Sequence, residues 1–310
     1  MDLSHPHDSF FKTWFSKKEH LKELLQLVLS PELMNELDVA TLEVQDGTYV
    51  DEEYKEHFSD LVATVELKGK ALNLYFLVEH KSYQDQGALL QILRYMVSTW
   101  SRDYRNNGNS PLVPIVPILF YHGESPKVTT KFQELFSKDL PPEIEAYLPG
   151  YRCEVLNLTS TDVSGLRVST ETAAAMWAMK YARTQVKLAL EGLNRLVETM
   201  GRTVVESSDF KAIEMYLFAS SSLSVAEVLE LINQTITNSF LKENIMSTAE
   251  MLIHEGEARG EARGEARGEA RGRQEEKRNV ARKLLKIGLS VEQVCQTTGL
   301  EASEVESLRS

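Results

Sequence analysis

Two carboxylates and an amine are the candidate reactive groups of the stretch FSDLVATVELKGKALNLYFLVEHK, residues 58 to 81: Asp60 near its start, Glu79 and Lys81 at its end. Two apolar runs, Phe58 to Leu67 and Ala71 to Val78, flank Lys68-Gly69-Lys70, which is the sequence form of a β-hairpin with a short turn. With the turn centred near Gly69, antiparallel partners sum to about 138 or 139, so Asp60 is expected opposite Val78 or Glu79. Side chains alternate along a strand, so Glu79 and Lys81 share a face and His80 points the other way. Apolar strands that end in Asp, Glu and Lys require a reason, because such groups are seldom buried unless they pair or bind a metal. One reading is a salt-bridged strand end. The other is a site for a hard divalent cation. Two close carboxylates repel, but a cation such as magnesium reverses the sign of that interaction, accepts oxygen ligands and keeps waters for a phosphate. A lysine beside it can position or deprotonate a water and stabilise charge developing on phosphorus-bound oxygens.

The elements that must hold these groups can be read outward from the hairpin. Residues 8 to 29 carry Phe11, Trp14, Phe15, Leu21, Leu24, Leu25 and Val28 at helical spacing, and Ser30-Pro31 ends the run. Asp8 at its start either caps the exposed amides or supplies a further acidic ligand. Ser30 can cap a second short helix, and Thr41 to Val44 can form the first strand before an Asp46-Gly47 turn. After the hairpin, Gln84 to Asn106 reads as a helix packed through Leu89, Leu90, Leu93, Met96, Val97 and Trp100, with Gln91 and Tyr95 on one face. Leu112 to Tyr121 is apolar enough for a strand buried on both faces, and Tyr151 to Leu158 alternates as another. His122, just beyond the first of these, is either a cleft residue or a structural turn histidine. Together these elements predict an α/β fold, a mixed sheet flanked by helices.

Beyond residue 170 the pattern is helical: Thr172 to Met200, Asp209 to Ser222, Val225 to Thr235 and Ser239 to His254, with Ser224-Val-Ala-Glu227 in capping-box form. Gly256 to Arg271 is four copies of Gly-Glu-Ala-Arg. A four-residue period stacks Glu over Glu and Arg over Arg, and each glycine costs about 1 kcal/mol against alanine in a helix. The segment therefore reads as a connector or as a marginal helix ordered by packing on a partner. Gln274 to Ile287, a Ser290-Val-Glu-Gln293 capping box and a short helix carrying Val305 and Leu308 form a helix-turn-helix-like tail. Its last helix displays Glu301, Glu304 and Glu306, which opposes docking on phosphate, so a dimerising or regulatory role is expected. Met246 offers a possible internal start for it. The expected division is 1–165, a helical region 166–254, the repeat connector 255–273 and the tail 274–310.

The net charge of −12 argues against a protein that coats nucleic acid, although a metal site with a local basic surface can engage one stretch of backbone. Candidate phosphate contacts are Lys12, Lys17, Lys18, Lys68, Lys70, Arg94, Arg102 and Arg105. Cys153 and Cys295 are too few for a disulfide framework and suit a reducing compartment. The N-terminus lacks the pattern of a secretory signal, and no apolar run approaches the roughly 20 residues that span a bilayer. A cytoplasmic protein with no membrane partner is expected.

Asp60 followed on the next strand by Glu79-His80-Lys81 resembles the PD-(D/E)xK nuclease signature. More narrowly, His7-Asp8-Ser9-Phe10-Phe11-Lys12, Val78-Glu79-His80-Lys81-Ser82, Gln91-Ile92-Leu93-Arg94-Tyr95 and Pro117-Ile118-Leu119-Phe120-Tyr121-His122-Gly123 together resemble the recombination-promoting nuclease, or transposase-like, family. The likeness covers the chain up to about residue 250. Ser59 stands where the superfamily name has proline, while the three reactive groups are in place. The resemblance implies a restriction-endonuclease-like fold and a magnesium-dependent DNA endonuclease acting in recombination or in defence against foreign DNA. It implies Asp60, Glu79 and the His80 carbonyl as metal ligands, Lys81 as the group that orients the attacking water, and Gln91 close by. DNA is the implied partner, and self-association through the helical region or the tail is expected. The competing class is a noncatalytic DNA-binding or assembly protein that retains the fold.

Overall fold

The computed structural model describes residues 5–45, 61–70, 73–108, 111–137, 139–201 and 205–308. Five strands, β1 (Leu37–Gln45), β2 (Leu61–Leu67), β3 (Asn73–Lys81), β4 (Ile115–Tyr121) and β5 (Glu154–Asn157), form one sheet in that order. The β1/β2 and β2/β3 pairs are antiparallel, and β3/β4 and β4/β5 are parallel. The expected hairpin is β2 and β3. Leu61 faces Val78 and Glu66 faces Asn73, so partners sum to the larger of the two expected values. Gly69 adopts φ +67°, the conformation for which glycine is suited, and the Lys70 amide closes the turn on the Leu67 carbonyl at 3.1 Å. β1 is longer than the expected Thr41 to Val44. Its register shifts between Asp38 and Glu43, and the Thr41 hydroxyl fills the gap by accepting from the Glu66 amide at 2.9 Å. The Asp46-Gly47 turn lies outside the described residues.

Alternation along β3 divides the core in two. Phe76 and Val78, with Ala63, Val65, Ile118 and Phe120, face a cluster that includes Phe10, Phe11, Trp14 and Phe15 of α1 (Pro6–Phe15) and Leu21, Leu24 and Leu25 of α2 (Lys18–Val28). Leu77 and Leu119 face the other way, onto Leu89, Ile92 and Met96 of a later helix and onto Phe132. The single helix expected over 8 to 29 is thus two helices, broken at Ser16-Lys17. The first begins earlier than expected because Pro6 occupies the first turn, where its missing N–H costs nothing. Asp8 therefore lies inside the helix and makes no capping bond. Ser30 does cap, accepting from the Leu33 amide at 3.3 Å, ahead of α3 (Pro31–Glu36).

The helix after the hairpin, α4 (Ala88–Asn107), starts four residues later than expected; Ser82 to Gly87 forms a loop instead. Pro117 sits within β4, but β5 pairs only from Ile118 onward, so a residue lacking N–H falls where one edge is open. After α5 (Pro142–Glu145) and β5 come α6 (Thr170–Tyr181), α7 (Val186–Met200), α8 (Ser208–Ser220), α9 (Val225–Thr235), α10 (Ser239–Lys286), α11 (Val291–Thr298) and α12 (Ala302–Ser307). The expected helix from Thr172 to Met200 is interrupted between Tyr181 and Val186. Both expected capping boxes, at Ser224 and Ser290, form.

The chain divides into two compact units, Met1–Thr248 and Ala249–Ser310. In the second unit, Ala281, Val294, Leu300 and Val305 make a small core, and Arg278 pairs with Glu304 at 2.5 Å. The Gly-Glu-Ala-Arg repeat is helical, as part of α10, rather than a break between two helices. Its like charges fall four apart, and Arg273, the first departure from the period, gives Glu269 an opposite charge one turn on, at 3.8 Å. Both cysteines are free. Among the described residues no helix is long and apolar enough to cross a membrane.

Cβ atoms added at Gly260, Gly264 and Gly268 would meet nothing within 4 Å. Substituting all three by alanine should stabilise the helix by about 1 kcal/mol per site. Circular dichroism of the full chain during heating should show helical signal persisting to higher temperature.

Candidate active site

The C-terminal end of β3 brings Glu79 and Lys81 onto the face covered by α4. Glu79 is 2% exposed and Lys81 8%. The Lys81 Nζ stands 3.1 Å from Glu79 Oε1 and 3.2 Å from Asp85 Oδ2, and it donates to Gln91 Oε1 at 2.9 Å. Gln91 in turn donates through Nε2 to the Tyr95 hydroxyl at 2.7 Å. The other Asp85 oxygen accepts from the Gly87 amide at 2.8 Å, which fixes that carboxylate in the loop before α4. Burial works against the Lys81 ammonium, but the adjacent Glu79 carboxylate, helped by Asp85, outweighs it and raises the lysine pKa. Lys81 is thus an ammonium held by three acceptors, suited to stabilising negative charge rather than to removing a proton.

Of the residues singled out in the sequence, Glu79, Lys81 and Gln91 are therefore brought together. Asp60 lies outside the described residues. The His80 side chain lies on the opposite face, as alternation requires, and is wholly buried. Asp8 is directed there as well: its Oδ1 is 3.1 Å from His80 Nδ1, so its carboxylate serves the histidine rather than a helix cap. Among the described residues no group of three or more His, Cys, Asp or Glu side chains is arranged to hold a metal ion. The described oxygen donors on the α4 side, Glu79 and Asp85, match in chemistry what a hard cation takes.

The opposite face carries a histidine network. His122 Nδ1 is 3.0 Å from the Met179 carbonyl and must donate to it. Burial, then the charge of His80, pushes the His122 pKa well down, so the ring is neutral and its Nε2 accepts from His80 Nε2 at 2.7 Å. On its other side the His80 ring meets the Asp8 carboxylate through Nδ1. The bond to His80 lowers the Asp8 pKa, against the opposing effect of burial. Phe11 stacks on the His80 ring with centroids 4.6 Å apart, and His7 reaches the Tyr216 hydroxyl at 2.8 Å.

Glu79, Lys81 and the N-terminal residues His7, Asp8 and Phe11 lie within residues 5–210, which match the family model described as "Putative transposase, YhgA-like". The chain belongs to this family. Recombination-promoting nuclease RpnC of Escherichia coli strain K12 is 25% identical over 227 residues, 72% of this chain and 73% of its own. The inactive recombination-promoting nuclease-like protein RpnE of the same strain is 23% identical over 303 residues, 97% of each chain. Recombination-promoting nuclease RpnA, also of that strain, is 20% identical over 305 residues, 97% of this chain and 96% of its own. No solved structure matches.

In this YhgA-like chain, sequence reasoning missed Asp85, which lies in a loop with no periodicity to signal its direction. Several basic candidates are engaged structurally. Lys17 pairs with Asp209, Lys18 donates to the Ala40 carbonyl at 2.5 Å, and Lys68 to that of Asn35 at 2.9 Å.

The histidine side of the sheet has a pH consequence. Burial, then the positive charge of His80, lowers the His7 pKa to about 4 from the usual 6.5 of histidine. A folded-state pKa below the unfolded one gives stability that is present above about pH 6.5 and is lost as pH falls towards 4. The His7→Gln chain should lose less stability than the parent between pH 7 and 4.5, with a slope shallower by up to about 1.4 kcal/mol per pH unit. Urea unfolding at several pH values measures this; identical slopes would contradict it.

Proposed function

We propose that this protein is a metal-dependent DNA endonuclease that hydrolyses phosphodiester bonds at the Glu79–Lys81 site, in recombination or in defence against foreign DNA. The observation that carries the reading is the buried Glu79 carboxylate joined to an ammonium that Gln91 and Asp85 also hold. The names of RpnC and RpnA support it. Asp60, Glu79 and the His80 carbonyl would hold magnesium, with Asp85 as a further oxygen donor nearby. Bound there, the ion would polarise the phosphate and lower the pKa of a water.

The chain's own part is charge stabilisation and orientation. Water gives a proton to solvent as its oxygen bonds phosphorus, the bond to the sugar oxygen breaks as that oxygen takes a proton from solvent, and negative charge grows on the remaining phosphate oxygens. Lys81, kept protonated by its carboxylate neighbours, donates to that charge. Tyr95 fixes Gln91, and Gln91 fixes the ammonium. The second reading, a noncatalytic protein that retains the fold, draws support from RpnE, a relative named inactive that aligns with nearly all of this chain.

Nicking of supercoiled plasmid decides between them. The purified wild-type chain should nick DNA with magnesium and not with EDTA. Lys81→Ala, which removes a donor aimed at developing charge, should lower the rate by about 100-fold or more. Equal activity in both chains would overturn the assignment, and binding without cleavage by the wild type would favour the noncatalytic reading.

A further inference from the structure

The parallel strands β3, β4 and β5 end together, and their carboxyl ends open on a cavity of about 230 Å³. Ser82 follows β3, His122 and Gly123 follow β4, and Thr159 lies just after β5. Ligands of open α/β sheets bind in the crevice outside the carboxyl ends of such strands. The crevice lies on the His7 and His122 side of the sheet and meets the candidate active site at the end of β3, since Ser82 is the residue after Lys81.

The unexpected break between α6 and α7 borders this cavity. That turn contains neither glycine nor proline, and it places Lys180 and Arg183 at the cavity wall. It is anchored: the Gln185 amide donates to the Tyr181 carbonyl at 2.8 Å, and the Ser222 hydroxyl donates to the Arg183 carbonyl at 3.0 Å. The Arg183 side chain is 46% exposed and makes two long contacts, Nε to Glu124 Oε1 at 3.4 Å and Nη1 to the Ser82 carbonyl at 3.4 Å. A guanidinium has five donors in a planar fork, so capacity for an oxyanion remains. Lys180 spends one donor on the Thr161 carbonyl at 2.5 Å. Lys180 and Arg183 thus line a cavity that Ser82, Thr159, His122 and Met179 also wall, the Thr159 hydroxyl donating to the Gly123 carbonyl at 2.6 Å, with Glu124 as the opposing charge at Arg183.

We propose that this cavity binds a phosphate of the nucleic-acid backbone on the histidine side of the β3 end, away from the one cleaved, with Arg183 and Lys180 as its ligands. The proposal rests on the nuclease reading above and adds to it the contact that sets the strand in register with Glu79 and Lys81. Neither residue is among the basic positions singled out in the sequence, because both lie in a predicted helix interior.

The test uses the full chain carrying Lys81→Ala, which separates binding from cleavage, with a short labelled DNA duplex in EDTA across a range of salt concentrations. Arg183→Gln and Lys180→Gln should each weaken binding roughly tenfold, as loss of a charge-assisted bond does. Each should also reduce the slope of log affinity against log salt by about 0.9, as loss of one phosphate contact does. Arg183→Lys should keep the slope, and Arg152→Gln, at an exposed arginine paired with Glu154, should change neither quantity. Matching thermal melts exclude misfolding as the cause. Parental affinity and slope in both glutamine variants would overturn the cavity assignment while leaving the nuclease reading intact. If the parent binds no DNA and the wild type cuts none, both fall together.

Discussion

A carboxylate and an ammonium buried on the same face of one strand have to be satisfied together, and the covering layer is arranged around that need. Removing either partner alone would leave a charge in a poorly solvated place at a cost of several kcal/mol. The face that holds Glu79 and Lys81 is otherwise apolar, with Leu77 and Leu119 packed beneath Leu89, Ile92 and Met96. α4 therefore cannot be apolar along its whole inner stripe. Where it passes the strand end it presents Gln91 and, one turn later, Tyr95, each bonded to the next polar group outward from Lys81. The loop between β3 and α4 completes the arrangement by folding Asp85 back over the amine.

The other face of β3 solves a similar problem with different groups. His80 is enclosed between Phe11 and His122, and its two ring nitrogens are directed to Asp8 and to His122. Three residues of one short helical stretch thus act on one region: Asp8 bonds the His80 ring, Phe11 stacks on it, and His7 reaches Tyr216 while its ring lies 5.3 Å from that of His122. This ties α1, β3, β4, α6 and α8 through polar contacts as well as apolar ones. Buried polar networks of this kind tolerate few alternative packings, because each unmet donor or acceptor carries a desolvation cost. The strand that presents Glu79 and Lys81 is held from behind by the same residues that gave the N-terminal segment its family likeness.

What the sequence made legible was local. The hairpin register followed from Gly69 and strand alternation, and the caps at Ser30, Ser224 and Ser290 followed from side chains that reach amides three residues away. The sharing of a face by Glu79 and Lys81, and of another by Gln91 and Tyr95, followed from periods of two and four, while the approach of Gln91 to Lys81 followed from the family resemblance. What failed had a long-range cause or left no periodic trace. Asp8 looked like a cap because caps are near in sequence, whereas its partner is 72 positions away. The breaks at Ser16-Lys17 and between Tyr181 and Val186 contain no glycine or proline; tertiary packing turns the chain there against its helical preference. The repeat, read as connector or marginal helix, is helical despite glycines and stacked like charges. It is flanked on both sides within α10 by segments of stronger preference, and helix propagation costs far less than nucleation.

The state of Lys81 constrains how the site can work. An ammonium has three donors, and here Glu79, Asp85 and Gln91 stand around it. In the proposed reaction, contact with a phosphate oxygen requires one of these acceptors to yield. The two carboxylates are charge-assisted partners and hold the amine more strongly than a neutral amide does. Gln91 is thus the partner most readily exchanged, and its amide keeps a second anchor at Tyr95 when its oxygen is released. An amide at this position can hold the amine in line before substrate arrives and give way to charge afterwards. A carboxylate there would compete with the phosphate, and an apolar side chain would leave the amine without a third acceptor.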